Sequence, residues 1–558
     1  MMKISDMQTI DGNLFANLIV TGVATLKKHV QEVNDLNVFP IPDGDTGDNM
    51  YHTIFGGLAG LNKTTENDIG KKANALSDAM LLNARGNSGV ILSQLFHGMA
   101  NGLKNRSSAD IVAFAHAFDE GVKTAYLAVV KPVEGTILTV ARESVAYAVQ
   151  NLNEEKTLIG FLDDMLAEMK RSVERTPDLL PVLKEAGVVD SGGVGLYYII
   201  EGMRHAAAGE ITDTPVEQTV ASSNEEPDYA LFDENSVMTY GYCTEFLLRL
   251  QTSKTDVNAF DVQTFIDYLE TVGDSIVAIK TGTVVKIHVH TLTPYKVLEF
   301  AQRYGEFLKV KIENMTLQHN ETLKPVQEEV AFTKTEKPRK KFGVVAVANG
   351  EGLKDMLREL GADEVIDGGQ TSNPSSEDFI KSFEKINAEY IFVMPNNGNI
   401  ILTAKQAADI YKSAEIRVIE TKNVGDCYAA LSMADFTVDN VDDAENILID
   451  NMQGVVTGMV SSAVRNAFLN GVKIKKGDYI GFTDKTVYVS ENDKISAYQR
   501  LTEKIGINEK PFLITIFGKE VSEEEKNRVR AYTGTIKNLE YYDVDGGQDV
   551  YDFILITM

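Results

Sequence analysis

The sequence has few cysteines, a shortage of positive charge and no long apolar run. Its 558 residues include two cysteines, Cys243 and Cys427, which excludes a fold held together by a network of disulfide bonds. Lysine and arginine number 54 against 81 aspartate and glutamate residues, so the formal net charge is -27. That excess of negative charge argues against nucleic acid and anionic membrane surfaces as the main partners.

No apolar run reaches the roughly 20 residues that a membrane-spanning helix requires. No basic segment followed by an apolar one, the pattern of a secretory signal, opens the chain. We therefore expect no integral membrane segment and a soluble, cytoplasmic protein. A chain of 558 residues is also too long for a single hydrophobic core, so two to four domains are expected.

The most informative stretch is residues 36–50, LNVFPIPDGDTGDNM. It brings together three carboxylates, Asp43, Asp45 and Asp48, separated by glycine and threonine. Anions this close repel one another, whereas Mg²⁺ takes oxygen ligands and often shares one or two carboxylates with substrate phosphates. An EF-hand calcium loop would need a glutamate at its twelfth position, where Ile54 stands. The stretch predicts a magnesium site; the alternative is an acidic turn that only caps the following helix.

A second segment suits a phosphate group. Residues 86–89, Gly-Asn-Ser-Gly, open a predicted helix and so offer backbone N–H groups, a serine hydroxyl and the positive end of a helix dipole. The Walker A motif of P-loop proteins is absent, so a nucleotide must be held by another scheme. Beside a magnesium loop, Asn87, Ser88 and Gly89 are candidate phosphate contacts. On their own they would be ordinary helix-capping residues.

The run N-V-F-P-x-P-D-G-D-T-G at residues 37–47 resembles the nucleotide-binding DhaL-type domain of the dihydroxyacetone kinase family. The likeness is closest to the catalytic subunits of fatty acid kinases. It implies an all-α helical barrel over residues 1–208 that binds ATP and Mg²⁺, with Asp43 and Asp45 as catalytic metal ligands and Asp48 as the third carboxylate.

Four further residues are assigned to the nucleotide on the same basis. Thr46 and Asn49 begin the helix that follows the acidic loop. The resemblance also places Thr136 and Asp190, each in a glycine-containing turn before a predicted helix, at the nucleotide end of the barrel. As bare sequence, the last two are ordinary helix caps. The resemblance also implies one metal carboxylate a few residues upstream of the Asp-x-Asp pair, where this chain has Asn37 and Val38.

Residues 234–324, between predicted linkers at 209–233 and 325–341, show the order β-α-β-β-α-β. That order is typical of a ferredoxin-like α+β domain, in which the first and third strands lie side by side at the centre of the sheet.

Strand alternation in this middle domain predicts a metal site. Cys243 and Glu245 on the first strand share a face with His288 and His290 on the third. Zn²⁺ prefers sulfur and nitrogen ligands and leaves a fourth position to water or a carboxylate. We predict zinc at Cys243, His288 and His290, with a part in phosphoryl transfer for His288. The alternatives are a purely structural zinc, or a solvated histidine pair beside an unrelated cysteine.

Residues 342–558 alternate strands with helices, which indicates an α/β domain with a mostly parallel sheet. Two polar loops, 368–374 and 395–399, follow predicted strands at the positions where such folds bind ligands. Residues 544–548 partly repeat residues 365–370. The resemblance implies a DegV-like region with two similar lobes, and binding rather than catalysis is expected there.

These features favour an ATP-dependent phosphotransferase. The resemblance implies that the acceptor is a fatty acid carboxylate presented by a separate fatty-acid-binding carrier protein, that the product is an acyl phosphate, and that the protein is a homodimer. Two alternatives stay open. A dihydroxyacetone-type kinase for small polyols would need a partner with a covalently reactive histidine and would leave the long extension unexplained. A non-catalytic nucleotide sensor or scaffold would not need both Asp43 and Asp45.

Overall fold

The computed structural model describes residues 9–36, 41, 44–129, 131–210, 242–257, 259–269, 271–281, 283–314, 339–369, 372–484 and 486–558. The chain forms two compact units, Met1–Gln218 with Glu336–Met558, and Thr219–Thr335. Asp43 and most of the two predicted linkers lie outside the described residues. Within the described part, no helix combines the length and the apolar character needed to cross a lipid bilayer.

The N-terminal part of the larger unit is a helical domain. Its described helices are α1 (Gly12–Asp35), α2 (Thr46–Lys63), α3 (Ile69–Asn83), α4 (Gly86–Leu103), α5 (Ile111–Ala128), α6 (Ile137–Gln150), α7 (Leu158–Leu179), α8 (Pro181–Ala186) and α9 (Ser191–Ala207). Two short strands, β1 (Thr9–Asp11) and β2 (Ser108–Asp110), pair antiparallel, which the all-α prediction missed.

The helices form because apolar residues recur at helical spacing. On α1, Phe15, Ile19, Val23 and Leu26 follow one another at intervals of three or four residues. All four are buried and belong to one core shared by the helices of this domain.

The described part of the smaller unit forms a four-stranded antiparallel sheet and two helices. The elements are β3 (Tyr242–Leu250), α10 (Gln263–Leu269), β4 (Gly273–Thr281), β5 (Val284–Thr291), α11 (Pro294–Gln302) and β6 (Gly305–Asn314). The strand order is β4-β5-β3-β6, so β3 and β5 are the central pair, as the ferredoxin-like order predicts. Alternate residues on these two strands, among them Phe246, Leu248, Val285 and Ile287, are buried.

The C-terminal region of the larger unit contains two main sheets. The first is parallel throughout, in the order β10-β9-β7-β8. Its strands are β7 (Lys340–Ala348), β8 (Glu364–Asp367), β9 (Ala388–Met394) and β10 (Glu415–Val418), and helices α12 (Glu351–Glu359), α13 (Ser376–Glu384), α14 (Ile401–Ile410), α15 (Val424–Ser432) and α16 (Val441–Asn451) accompany it.

The second sheet is mostly antiparallel. Its elements are β11 (Val456–Ser462), β14 (Tyr479–Thr483), β15 (Thr486–Glu491), α17 (Lys494–Lys504), β16 (Phe512–Phe517), α18 (Glu523–Thr533), β17 (Glu540–Asp545) and β18 (Phe553–Thr557), with the hairpin of β12 (Ala467–Leu469) and β13 (Val472–Ile474) beside it. The order is β15-β14-β11-β18-β16-β17, and the described pairs are antiparallel except β16 with β17.

The prediction of a mostly parallel sheet is therefore wrong for this half of the region. The physical reason is the length of the connections. Only two residues separate β14 from β15, and a link that short permits a hairpin but not the long crossover that parallel neighbours require.

The helical domain and the C-terminal region pack together within the larger unit. Ile41, from the loop between α1 and α2, is 3% exposed and lies in the same buried cluster as Phe392. Gln406 on α14 donates from Nε2 to the carbonyl oxygen of Leu81 (2.6 Å) and accepts at Oε1 from Nε2 of Gln94 (3.0 Å). The acidic loop is thus held against the C-terminal region.

Candidate functional site

The first turns of several helices in the helical domain lie next to one another. Oγ of Ser191, the first residue of α9, lies 3.2 Å from Oγ1 of Thr46, the first residue of α2. The start of α4 also packs against α2. A Cβ atom added to Gly86 would lie only 2.5 Å from Nδ2 of Asn49. Gly86 has φ of 58°, a conformation that favours glycine. The predicted acidic and glycine-rich segments therefore meet.

The helices of this domain differ in how the N–H groups of their first turns are capped. Five of the described helix starts in this domain have a cap residue whose side chain accepts a hydrogen bond from a backbone N–H in the first turn, namely those capped by Asp11, Asp68, Asp110, Thr157 and Asp190. The cap residues of α2, α4 and α6 are Asp45, Arg85 and Thr136, and their side chains make no such bond. Side chains from other helix ends bond two of these starts, because Asn34 accepts from the backbone N–H of Gly47 on α2 and the Asp190 carboxylate is bonded by the backbone of Ile137 on α6. The start of α4 has no side-chain cap bond, and its positive dipole end suits an anion such as phosphate.

Asp45 is buried at the start of α2, with 8% of its surface exposed. Burial raises the pKa of its carboxyl to about 7, and the charge of Asp48 adds to the rise, against hydrogen bonds from the side chains of Asn49 and Asn373. A buried carboxylate next to a second one is poorly stabilised by the protein alone. A bound divalent cation would favour the ionised form of both.

Asp48 lies on the first turn of α2 and is oriented by α1. Its Oδ2 accepts a hydrogen bond from Nδ2 of Asn34 at 2.7 Å, and Oδ1 of the same asparagine accepts from the backbone N–H of Gly47 at 2.7 Å. Asn34 is buried. The end of α1 therefore fixes the direction of the Asp48 carboxylate.

The predicted phosphate segment begins α4. A Cβ atom on Gly89 would lie 2.3 Å from Oγ1 of Thr53, so glycine allows α4 to approach α2. Ser88 is partly buried on the same turn. Nδ2 of Asn87 donates to the carbonyl oxygen of Gly398 at 3.4 Å, whereas its buried Oδ1 has no hydrogen-bond partner among the described residues.

Asp190 and Thr136 lie at neighbouring helix starts. Oδ2 of Asp190 accepts from the backbone N–H of Gly193 at 2.7 Å, and its carboxylate is also hydrogen-bonded by the backbone of Ile137 on α6. Burial raises the pKa of Asp190 to about 6. The Thr136 hydroxyl donates to the carbonyl oxygen of Val133 at 2.8 Å rather than capping α6.

The C-terminal region reaches the acidic loop directly, which sequence reasoning missed. Nδ2 of Asn373 donates to Oδ2 of Asp45 at 2.6 Å. Nη1 of Arg85 donates to the carbonyl oxygen of Asn373 at 2.7 Å, and Nδ2 of Asn397 donates to its Oδ1 at 3.3 Å. The structure confirms that the two polar loops follow strands β8 and β9, and their ligand-binding role stays a prediction. Their contact with a segment more than 300 residues away leaves no local signal in the sequence.

A cavity of about 860 Å³ opens beside these loops. Asn87 and Asp190 line it from the helical domain, together with three apolar residues at and near α8, which are Leu180, Val182 and Leu183. The C-terminal region supplies apolar residues, among them Met459, Phe482 and Ile554. The cavity therefore has both polar and apolar walls and adjoins the predicted nucleotide contacts.

Unpaired polar atoms and strained backbone are found around this cavity. Oδ1 of Asn87 and Oε1 of Gln548 are buried in its lining and lack a hydrogen-bond partner in the described part of the chain. Four lining residues other than glycine have positive φ: Asn470 (50°) and Asp484 (50°) begin two-residue hairpin loops that require it, whereas Asn396 (58°) and Val550 (65°) lie in other loops. Such conformations cost free energy, most of all for a β-branched residue, and they cluster at ligand sites. These features indicate a space built for a ligand.

The predicted zinc residues lie on the central strands of the smaller unit. In the antiparallel register of β3 and β5, Cys243 is opposite His290 and Glu245 is opposite His288. Their side chains lie outside the described part of the structure. Zinc at this site, and a role for His288 in catalysis, stay predictions.

Three family descriptions match consecutive parts of the chain. Residues 40–205 match the DAK2 domain, residues 239–322 match the middle domain of FakA-like fatty acid kinase proteins, and residues 343–557 match the C-terminal domain of the same FakA-like proteins. Protein YloV of Bacillus subtilis (strain 168) is 37% identical over 558 residues, covering 98% of this chain and 99% of YloV.

Two solved structures are also similar to parts of the chain. The crystal structure of DegV, a fatty acid binding protein from Bacillus subtilis, is 12% identical and covers 39% of this chain and 99% of that one, with a TM-score of 0.29. The dihydroxyacetone kinase from C. freundii in complex with AMP-PNP and Mg²⁺ is 18% identical and covers 36% of this chain and 35% of that one, with a TM-score of 0.29.

Proposed function

Because the chain belongs to the FakA-like family of fatty acid kinase proteins, we propose that it transfers the γ-phosphoryl group of ATP to a fatty acid carboxylate presented by a separate fatty-acid-binding protein. An oxygen of the carboxylate forms a bond to the γ-phosphorus, the bond between that phosphorus and the β,γ-bridging oxygen breaks, and an acyl phosphate and ADP are released. The acceptor is already an anion, so no general base is needed to remove a proton from it.

The observation that carries the proposal is that the start of α4, which has no side-chain cap bond, lies against the start of α2 with its two carboxylates. The backbone N–H groups at the start of α4, around Asn87, Ser88 and Gly89, suit the phosphate oxygens of a nucleotide. Asp45 and Asp48, with Asp43 by prediction, would hold Mg²⁺, which when bound offsets the charge of the phosphate oxygens.

Other residues are proposed to orient the nucleotide. Thr46 and Asn49 lie on the first turn of α2, where they adjoin the starts of α9 and α4. Thr136 and Asp190 lie at the starts of α6 and α9. Alignment of the nucleotide, together with neutralisation of its charge, accounts for most of the catalysis in phosphoryl transfer.

The cavity would allow an amphipathic acceptor to reach the proposed nucleotide contacts from the C-terminal region. It joins Asn87 and Asp190 to an apolar wall that includes Met459 and Phe482. A carboxylate with an attached hydrocarbon chain needs both kinds of surface. The carrier protein is proposed to dock against the C-terminal region, and a homodimer is proposed from the family resemblance.

The proposal is tested by measuring ATP consumption with three acceptors: a fatty-acid-binding protein loaded with a long-chain fatty acid, the same protein without lipid, and dihydroxyacetone. Turnover only with the loaded carrier, at one ADP for each acyl group consumed, is the expected result. ATP consumption with dihydroxyacetone but not with the loaded carrier would contradict the proposal.

A further inference from the structure

We propose that Asn373 is a positioning residue for the metal site, so that the C-terminal region completes a site whose carboxylates lie on the helical domain. The inference rests on the proposed function in one respect, namely that Asp45 binds Mg²⁺. It goes further by assigning part of the metal affinity to a residue outside the nucleotide-binding domain.

The contact is short and shielded from water. Nδ2 of Asn373 donates to Oδ2 of Asp45 at 2.6 Å, and the two residues are 3% and 8% exposed. An N–H donated to one carboxylate oxygen fixes the carboxylate plane and leaves lone pairs free on both oxygens. Hydrogen bonds of this kind hold metal-binding carboxylates in the orientation that the ion requires.

The amide oxygen of Asn373 is also held by a hydrogen bond. Its Oδ1 accepts a hydrogen bond from Nδ2 of Asn397 at 3.3 Å, and Oδ1 of Asn397 accepts from the backbone N–H of Asn399 at 2.8 Å. Asn397 is buried and also lines the cavity. One chain of hydrogen bonds therefore runs from the cavity wall to the carboxylate of Asp45.

The backbone around Asn373 is anchored to the start of α4. Arg85 donates from Nη1 to the carbonyl oxygen of Asn373 at 2.7 Å. The backbone N–H of Ser376 donates to the carbonyl oxygen of Ala84 at 3.2 Å, and Arg85 forms an antiparallel bridge with Ser375. The helix start proposed to hold phosphate thus also sets the distance between Asn373 and Asp45.

This arrangement makes a specific prediction for Asn373→Ala. The substitution removes one of the two side-chain N–H donors to Asp45, leaves the hydrogen bond from Asn49, and changes no proposed metal or nucleotide ligand. Loss of an outer hydrogen-bond partner typically lowers metal affinity about 10–100-fold. We expect a rise of that size in the dissociation constant for Mg²⁺ and in the Mg²⁺ concentration for half-maximal turnover, with kcat recovered at saturating Mg²⁺.

The experiment is isothermal titration of Mg²⁺ into the full-length protein in the presence of AMP-PNP. The matched control is Asn451→Ala, which removes one amide hydrogen bond, from Nδ2 to the carbonyl oxygen of Ala430 at 3.2 Å, elsewhere in the same region. The control should bind Mg²⁺ like the unaltered protein. If Asn373→Ala fails to fold, Asn397→Ala replaces it in the same titration. A smaller rise in the dissociation constant for Mg²⁺ is then expected.

The outcomes separate the two proposals. Weaker Mg²⁺ binding by Asn373→Ala than by Asn451→Ala supports the positioning role. Equal Mg²⁺ binding by the two variants overturns it and leaves the kinase proposal intact, and a lower melting temperature with unchanged Mg²⁺ affinity does the same. No Mg²⁺ binding by the unaltered protein overturns the metal assignment of Asp45 and, with it, this inference.

Discussion

Asn373 and Asp45 are separated by 328 positions in the sequence and joined by a hydrogen bond of 2.6 Å. The contact links the acidic loop before α2 to a loop that follows β8 in the C-terminal region. Because both residues belong to one compact unit, the proposed kinase site has walls from two regions of the chain. The geometry of the proposed metal site would therefore depend on the packing of the C-terminal region.

Asp45→Asn should abolish turnover and leave the fold intact. The substitution keeps the size of the side chain but removes a negative charge from the proposed metal site, which should cost about 3–4 kcal/mol in the transition state, or roughly 10²–10³-fold in kcat. Burial disfavours the charged form of Asp45, so the neutral amide should not lower the melting temperature. Steady-state kinetics at saturating Mg²⁺ tests this, with Asp35→Asn on α1 as the control. Near-normal turnover would rule out Asp45 as a metal ligand.

The Asp190→Asn substitution should stabilise the nucleotide-free protein more at neutral pH than at acidic pH. Burial raises the pKa of Asp190 to about 6 from 3.8. Between about pH 4 and pH 6 the folded state holds more protons than the unfolded state, so this group's contribution to stability falls as pH rises. Asparagine cannot ionise. The free energy of unfolding of the Asp190→Asn variant, relative to that of the unaltered protein, should therefore rise by up to about 3 kcal/mol between pH 4 and pH 7.

Urea denaturation of both proteins at the two pH values measures this difference. Asp68→Asn, at the cap of α3, gives the baseline effect of the same substitution at another helix start. A difference in stability that is independent of pH would contradict the raised pKa of Asp190.

Gly86→Ala should disrupt nucleotide binding through two separate effects. Alanine is strained at φ of 58°, and its Cβ would lie 2.5 Å from Nδ2 of Asn49. Gly187→Ala is the matched control, because Gly187 has a similar φ of 66° but open space around the added atom. We expect a loss of about 1 kcal/mol in stability for the control and about 2–3 kcal/mol for Gly86→Ala. Fluorescence titration with a labelled ATP analogue should show weaker binding only for Gly86→Ala.

The zinc prediction is tested by elemental analysis of the purified protein, which should carry about one zinc per chain. His288→Ala should lower that value markedly, while Lys286→Ala on the same strand should not. If the ion takes part in the reaction, His288→Ala should impair phosphoryl transfer more than nucleotide binding. A purely structural zinc predicts a lower melting temperature with little change in the chemistry. Metal-free protein with full activity would remove the site.

Sequence reasoning succeeded where the signal was periodic or contiguous. The helices of the first domain follow from apolar spacing such as that of Phe15, Ile19 and Val23, and the neighbouring position of β3 and β5 follows from the order of elements. Sequence reasoning missed contacts made by single residues in loops. Ile41 lies between two prolines and has no periodic partner, yet it is buried in the core of the C-terminal region. A contact of this kind depends on tertiary packing, which no local pattern encodes.

The proposed acceptor is a fatty acid carboxylate, and identifying the reaction product distinguishes it from any other acceptor. The protein is incubated with ATP, Mg²⁺ and a carrier protein loaded with a ¹³C-carboxyl fatty acid, and the mixture is followed by ³¹P and ¹³C NMR. An acyl phosphate is expected, seen as a new phosphorus resonance coupled to the labelled carbon and absent with Asp45→Asn. Release of ADP and inorganic phosphate with an unchanged carboxyl resonance, even when hydroxylamine is present to trap an acyl phosphate, would contradict it.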